Sequence, residues 1–186
     1  MLVGYQGIKG SFSNQAANEF VDKMKIEDAK LIPLIDSKTV VDYLIDGNID
    51  YGILAIKNST AGTVAETEKA LSNQSVKCLA YLDLNVIHCL FKKKNINKEI
   101  LNKVASHEQA LAQTKNTREK YFANLEEITY ADTALAAKDL ANNILDETNA
   151  VICSKIAGEL FDLDLIYEGL NDNLDNTTTF GIFIKE

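Results

Sequence analysis

Short apolar stretches alternate with longer amphipathic stretches along nearly the whole chain. Residues 2–6 and 50–56 are examples of the short kind, and such continuous apolar runs are typical of buried β-strands. The amphipathic stretches carry apolar residues at helical spacing, and Ser13 and Ser37 are predicted to cap two of the helices. This βαβα order predicts an α/β protein with mainly parallel sheets.

The remaining apolar runs continue this order to the end of the chain. A strand that turns into a helix is predicted in each of residues 102–113, 127–141 and 150–161. The stretch 76–94 differs, because it is a long extended run with no turn residues. We interpret it as one long strand that passes from one lobe of the protein to another.

Composition and charge narrow the classes of function. The chain has 186 residues with 46% apolar content, which suffices for a real core in one domain or two small lobes. Its net charge of -8 makes nucleic acid and anionic membranes poor partners. The N-terminus does not resemble a signal peptide, and no stretch reaches the roughly 18 apolar residues of a membrane span. We therefore expect a cytoplasmic protein.

The cysteines and histidines do not indicate a metal centre. Cys78, Cys89 and Cys153 lie in apolar runs, and their odd count and spacing match no zinc pattern, so we predict reduced core residues. With two histidines and no cluster of acidic residues, a metal site is not expected.

Small polar residues collect where the predicted strands end. In open α/β sheets, ligands bind beyond the carboxyl ends of the strands, often at free backbone N–H groups of helix N-termini. Such a set of donors can hold carboxylates without many arginines, although Ser, Thr, Asp and Asn at these places are also ordinary helix caps. The residues in question are Ser11, Lys57, Asn58, Ser59, Ser106, His107, Gln113, Asp132, Thr133 and Ser154.

These stretches, in this order, resemble the signatures of the prephenate dehydratase catalytic domain. Residues 7–17 resemble the family's G-P-x-G-T/S-F/Y-S motif, and residues 50–62 resemble its D-Y-G-x-x-P-x-E-N-S/T motif. Further matches are "IHCL" at 87–90, "SHEQALAQ" at 106–113, "DTALAA" at 132–137 and "NTTTF" at 176–180. The resemblance covers nearly the whole chain with compatible spacing.

The resemblance implies a lyase that converts prephenate to phenylpyruvate with loss of carbon dioxide and water, without a cofactor. The implied fold has two α/β lobes of the type II periplasmic-binding-protein kind, with the site in the cleft between them. The lobes would comprise residues 1–77 plus 167–186, and residues 78–166. The implied catalytic residues are Thr178, Asn58, Gln113 and Thr133, and the implied substrate-binding residues are Ser11, Ser59, Ser106, His107, Lys57 and Phe180.

Two departures from the family pattern keep other functions open. Lys57 stands where the family has glutamate, and Thr179 stands where the family has arginine. The loss of the arginine removes either a group that binds a substrate carboxylate or one partner of a structural ion pair. Lys57 could replace the missing cation at the substrate. The alternatives are a decarboxylase that acts on prephenate without aromatising it, and a catalytically silent protein that binds or senses a small carboxylate.

The resemblance also bears on control and assembly. Family members commonly continue into a regulatory ACT domain that binds phenylalanine, and no such segment follows residue 186. Allosteric control is therefore expected to be absent or supplied by another chain. We expect a homodimer.

Overall fold

The computed structural model describes all 186 residues, which form two compact units. In chain order the elements of the first part are β1 (Leu2–Gln6), α1 (Phe12–Met24), β2 (Lys30–Leu34), α2 (Ser37–Ile45), β3 (Tyr51–Asn58), β4 (Gly62–Thr63), α3 (Ala65–Leu71) and β5 (Val76–Asn85). The middle part contains β6 (Cys89–Lys92), a single 3-10 turn (Lys98–Ile100), β7 (Lys103–Ser106), α4 (Glu108–Gln113), α5 (Lys115–Tyr121), β8 (Glu126–Thr129), α6 (Thr133–Ala141), β9 (Asn149–Cys153), α7 (Lys155–Leu160) and β10 (Asp164–Glu168). The chain closes with β11 (Thr177–Lys185).

Unit 1 comprises residues 1–86 and 175–186. Its sheet has the order β2-β1-β3-β11-β5, with the short β4 paired to β3. The β1 strand is parallel to β2 and β3, whereas β11 is antiparallel to both β3 and β5. Apolar residues of α1 pack with one set of buried strand residues, and α2 and α3 pack with the other, so the sheet is covered on both faces.

Unit 2 comprises residues 87–174 and has a sheet of the order β10-β6-β9-β7-β8. The β7 strand is parallel to β8 and β9, and β6 is antiparallel to β9 and β10. The α7 helix approaches β6 so closely that a Cβ atom on Gly158 would overlap the ring of Phe91. The predicted α/β class is confirmed, with parallel and antiparallel pairs in each sheet.

The boundaries between the units differ from those predicted from the sequence. The first unit extends to Val86 rather than 77, because β5 pairs with β11 along its whole length. The second unit extends to Leu174 rather than 166, because β10 pairs with β6 and the segment after β10 bonds to His88 and Gln113. The apolar run 76–94 is correspondingly two strands, since β5 and β6 belong to different sheets and the chain between them is not a strand.

Two predicted helix caps are wrong by one or two residues. The α1 helix is capped by Ser11, whose side chain accepts a hydrogen bond from the Asn14 N–H, and Ser13 lies within the first turn. The α2 helix is capped by Asp36, which accepts from the Thr39 N–H at 2.7 Å, rather than by Ser37. An N-cap side chain bonds the N–H two or three residues further on, and only Ser11 and Asp36 have that relation to the observed first turns. No helix in the structure is both long enough and apolar enough to cross a membrane.

Candidate functional site

Thr178 lies near the start of β11, next to the end of β3. The strand register places Thr178 opposite Asn58 on one side and opposite Leu84 of β5 on the other. Thr178 is 8% exposed and Asn58 is 6% exposed. Two polar side chains from positions 120 residues apart in the sequence are thus brought together in a nearly closed environment.

The hydrogen bonds of Asn58 fix the direction of its amide group. Its Oδ1 accepts from the backbone N–H groups of Thr60 at 3.0 Å and Ala61 at 2.9 Å. Its Nδ2 donates to Asn176 Oδ1 at 2.8 Å and to Thr178 Oγ1 at 2.9 Å. Since Thr178 Oγ1 accepts from Asn58, the single proton of the Thr178 hydroxyl is available for a different acceptor. The arrangement presents Thr178 as a hydrogen-bond donor.

Ser59 and Ser11, both predicted to bind substrate, have hydroxyl groups that serve the fold. Ser59 Oγ donates to the carbonyl of Asp175 at 3.0 Å and accepts from the Thr177 N–H at 2.9 Å, which fastens the β3–β4 turn to the start of β11. Ser11 caps α1 and is buried. These hydrogen bonds give both hydroxyl groups a structural role that needs no ligand. The role of Ser11 and Ser59 in substrate binding stays a prediction.

Phe180, also predicted to bind substrate, lies in the core of unit 1. Its side chain is 2% exposed and belongs to the cluster that includes Ile53, Leu82 and Ile182. Phe180 lies on the face of β11 that packs against α1, and strand alternation places Thr178 on the same face. The structure therefore assigns the Phe180 ring to packing, and the prediction that it contacts substrate receives no support.

Lys57 lies apart from the Thr178 cluster. It is exposed and stands opposite Thr179 in the β3–β11 register, and Thr179 in turn stands opposite Asp83 of β5. Thr179 Oγ1 donates to Asp83 Oδ1 at 2.6 Å. Because neighbouring residues of a strand point to opposite faces, Lys57 and Thr179 lie on the other face of the sheet from Asn58 and Thr178.

This register relates the two departures from the family pattern to each other. A glutamate at 57 and an arginine at 179 would be directly opposite neighbours, the geometry of a cross-strand ion pair. In this chain the pair is replaced by Lys57 and by the hydrogen bond between Thr179 and Asp83. Both substitutions therefore lie on the face of the sheet opposite to the Thr178 hydroxyl.

Unit 2 carries the other predicted site residues, and a histidine positions one of them. His88 is buried, and its Nε2 lies 3.0 Å from Gln113 Oε1. Burial lowers the pKa of His88 and the bond to Gln113 opposes that shift only in part, so the ring is neutral at pH 7 and its Nε2–H donates to Gln113. Asn171 Oδ1 accepts the His88 backbone N–H at 2.7 Å. His88 and Asn171 thus hold Gln113 in one orientation.

Three further residues of unit 2 lie at strand ends or helix starts, as predicted. Ser106 is fully buried and its Oγ donates to the Ile152 carbonyl at 2.7 Å, which ties β7 to β9. His107 caps α4 through Nδ1, which accepts from the Gln109 N–H at 3.2 Å. Thr133 is the first residue of α6 and is partly exposed. Thr133 is therefore more accessible to a ligand than Ser106, whose hydroxyl joins two strands of the sheet.

Asp132, the cap that precedes Thr133, has a carboxyl group with a raised pKa. Burial raises the pKa of Asp132, while its hydrogen bonds to the Leu135 and Ala134 N–H groups and the nearby His107 oppose that shift. The Asp132 side chain accepts from the Leu135 N–H at 2.8 Å. The carboxyl is therefore engaged in capping α6.

Two asparagines of these clusters were missed by the sequence analysis. Asn176 holds Asn58 in unit 1 and Asn171 holds His88 in unit 2. The signal for both was the asparagine-rich run before the last strand, in which Asn171 and Asn176 are the buried members.

No group of three or more His, Cys, Asp or Glu side chains could hold a metal ion.

Comparisons with known proteins identify the family. The profile of the prephenate dehydratase family matches residues 3–186. An arogenate dehydratase/prephenate dehydratase of Arabidopsis thaliana is 30% identical over 186 residues, which is 100% of this chain and 44% of the relative. A bifunctional chorismate mutase/prephenate dehydratase of Neisseria gonorrhoeae is 31% identical over 180 residues, which is 97% of this chain and 48% of the relative. The chain spans less than half the length of these two relatives.

Solved structures agree on the fold. The prephenate dehydratase of Arthrobacter aurescens, solved in complex with L-Phe, superposes with a TM-score of 0.88 at 21% identity over 100% of this chain and 61% of that chain. A periplasmic substrate-binding protein of an ABC transporter from Coxiella burnetii superposes with a TM-score of 0.52 at 13% identity over 100% of this chain and 85% of that chain. The periplasmic-binding-protein-like fold is thus confirmed, and the match along residues 3–186 shows that the chain belongs to the prephenate dehydratase family.

Proposed function

We propose that this chain converts prephenate to phenylpyruvate, with loss of carbon dioxide and water. The observation that carries the proposal is the Thr178 hydroxyl, which accepts a hydrogen bond from Asn58 and so has its own proton to donate. It lies in the stretch 176–180 that resembles the family's N-x-T-R-F motif, and the family profile extends across it.

The proposed role of Thr178 follows from the electron flow of the reaction. The bond between the ring and its carboxylate breaks, carbon dioxide leaves, and the electron pair enters the ring. The ring carbon–oxygen bond then breaks, and the hydroxyl departs as water once it has received a proton. Aromatisation drives both steps, so the protein chiefly assists the leaving oxygen, for which a held hydroxyl donor is suited.

The substrate carboxylates must be bound without arginine. The chain contains a single arginine, Arg118, which is 4% exposed and paired with Glu127 at 2.5 Å. Its guanidinium also donates to the Leu111 carbonyl at 2.9 Å. Lysines, neutral side-chain donors and backbone N–H groups remain as carboxylate ligands. Gln113 and Thr133 stay predictions as catalytic residues, as the family resemblance implies.

Arogenate is a second candidate substrate. Several relatives that match the entire chain at about 30% identity are named arogenate dehydratases. Arogenate carries an ammonium group where prephenate carries a keto group, and the net charge of -8 favours a substrate with an added positive charge. The same departure of carbon dioxide and water would then yield phenylalanine.

The test compares both substrates with the purified chain at neutral pH. Phenylpyruvate is followed by its absorbance in alkali, and phenylalanine by chromatography. We expect phenylpyruvate from prephenate, and a larger kcat/KM for arogenate would transfer the assignment to that substrate. Carbon dioxide release without an aromatic product would indicate the decarboxylase. Calorimetric binding of prephenate without turnover would indicate a binding protein.

Lys57 should be dispensable for this reaction. Because Lys57 lies on the face of the sheet opposite to Thr178, the Lys57→Met variant should keep kcat and KM within about twofold of the parent. The combined variant Lys57→Glu/Thr179→Arg places an ion pair across β3 and β11 and should change stability by only about 0.2–1 kcal/mol. A drop in kcat/KM of tenfold or more in Lys57→Met would return Lys57 to the substrate site.

A cytoplasmic location and a homodimer are parts of the same proposal. The three cysteines are free, and burial raises the pKa of Cys89 and Cys153, as suits unreactive thiols in a reducing compartment. Light scattering coupled to size-exclusion chromatography measures the assembly directly, and a monomer at micromolar concentration would contradict the dimer.

A further inference from the structure

Asn176 lies where three strand ends of unit 1 meet. Its side chain is 1% exposed, and its Oδ1 accepts from Asn58 Nδ2 at the end of β3. Its backbone carbonyl accepts from the Val86 N–H at 2.7 Å, just beyond β5. Thr178 follows two residues later in β11. The side chain and the backbone of this one buried residue thus connect the strand ends that surround the Thr178 hydroxyl.

The hydrogens of the Asn58 amide explain why this contact matters. Nδ2 carries two hydrogens, and its two nearest acceptors are Asn176 Oδ1 at 2.8 Å and Thr178 Oγ1 at 2.9 Å. The Thr177 carbonyl is a further acceptor at 3.4 Å. Without the Asn176 oxygen, the amide would turn toward the Thr177 carbonyl and weaken its bond to Thr178.

The direction of one proton depends on this amide. While Asn58 donates to Thr178 Oγ1, the Thr178 proton cannot be used toward Asn58 and is directed elsewhere. If Asn58 turns, the Thr178 hydroxyl can rotate and donate to a neighbouring protein oxygen instead of to a leaving group. A hydroxyl that rotates freely is a poorer acid catalyst, because the required orientation must be found at each turnover.

We propose that Asn176 is a positioning residue that, through Asn58, sets the Thr178 hydroxyl as a donor to the departing ring oxygen. The inference rests on the proposed dehydratase function and adds a residue to it. Asn176 does not itself contact the reacting atoms; its effect passes through the two hydrogen bonds of the Asn58 amide.

The test compares two polar replacements of Asn176. Asn176→Asp keeps an oxygen at the position of Oδ1, whereas Asn176→Ser is too short to reach Asn58. We expect kcat of Asn176→Ser to fall by on the order of 10 to 10², with KM within about threefold, as for a misplaced catalytic group. Asn176→Asp should keep kcat within about fivefold of the parent above the pKa of its carboxylate.

A double-mutant comparison separates positioning from a structural role. In the Thr178→Val background, Asn176→Ser should cause no further fall in kcat, because the group that Asn176 orients is gone. An equal fall in both backgrounds, or failure of both Asn176 variants to fold, would assign Asn176 to the fold and overturn the proposal. A parent chain that turns over neither prephenate nor arogenate would instead contradict the proposed function.

Discussion

Replacing Thr178 by valine should lower kcat by on the order of 10² to 10⁴, the usual range for loss of acid assistance to a leaving group. Valine has nearly the shape of threonine, and the site is 8% exposed, so the change removes the hydroxyl with little effect on packing. The Asn58 amide loses an acceptor but keeps Asn176. KM should change little, because the bond to the leaving oxygen strengthens only as the oxygen departs.

The adjacent threonines provide matched controls for this variant. Thr179 donates to Asp83 on the opposite face of the sheet, and the backbone of Thr177 bonds Ser59. Thr177→Val and Thr179→Val should therefore keep kcat within about threefold of the parent. Thr178→Ser should recover most of the rate, since it restores a hydroxyl. An unchanged kcat in Thr178→Val would remove Thr178 from the mechanism.

Truncating Phe180 to alanine should lower the free energy of unfolding by about 3–5 kcal/mol, the range for a large core side chain cut to a methyl group. The ring is 2% exposed and packs in the cluster that includes Ile53, Leu82 and Ile182. Its strand lies between β3 and β5, so the truncation would leave a cavity in the apolar core of unit 1. Because small domains are stable by only about 5–15 kcal/mol, this is a large part of the total. Denaturant unfolding followed by circular dichroism measures it.

The conservative variant Phe180→Leu separates packing from substrate contact. Leucine preserves most of the apolar volume, so Phe180→Leu should cost well under the loss in Phe180→Ala and leave KM unchanged. If Phe180→Ala proved as stable as the parent while both variants raised KM, the ring would have to be returned to the substrate site.

The spacing of apolar residues predicted helices and strands well where an element buries one face. The run 76–94 shows the limit of this reasoning, because both β5 and β6 are apolar and nothing in the residues between them indicates a change of sheet. The boundary between β5 and β6 is evident only from the strands with which they pair, since β5 pairs with β11 and β6 pairs with β9 and β10. Strand pairing is a long-range property that a local pattern does not contain.

The candidate site shows the same division between local and long-range information. The stretch around Thr178 was located by its motif, and the alternation of β3, once the strand is known, puts Lys57 and Asn58 on opposite faces. The hydrogen bond between Asn58 and Asn176, however, depends on which strands are neighbours, and so does the opposition of positions 57 and 179. Without the register, Lys57 was a reasonable substitute for a missing arginine. With the register, both positions belong to one cross-strand pair.

The position of β11 between β3 and β5 constrains how the nascent chain folds. As residues 1–86 leave the ribosome, β3 and β5 lack the strand that lies between them, because β11 is synthesised about 90 residues after β5. Unit 2 is a continuous segment and can complete its sheet while unit 1 still exposes two unpaired strand edges. Unit 1 therefore depends on late insertion of β11, and the same event brings Thr178 to Asn58. A ribosome-stalled chain that ends before β11 should be a substrate for chaperones and should not catalyse the proposed reaction, however completely unit 2 has folded.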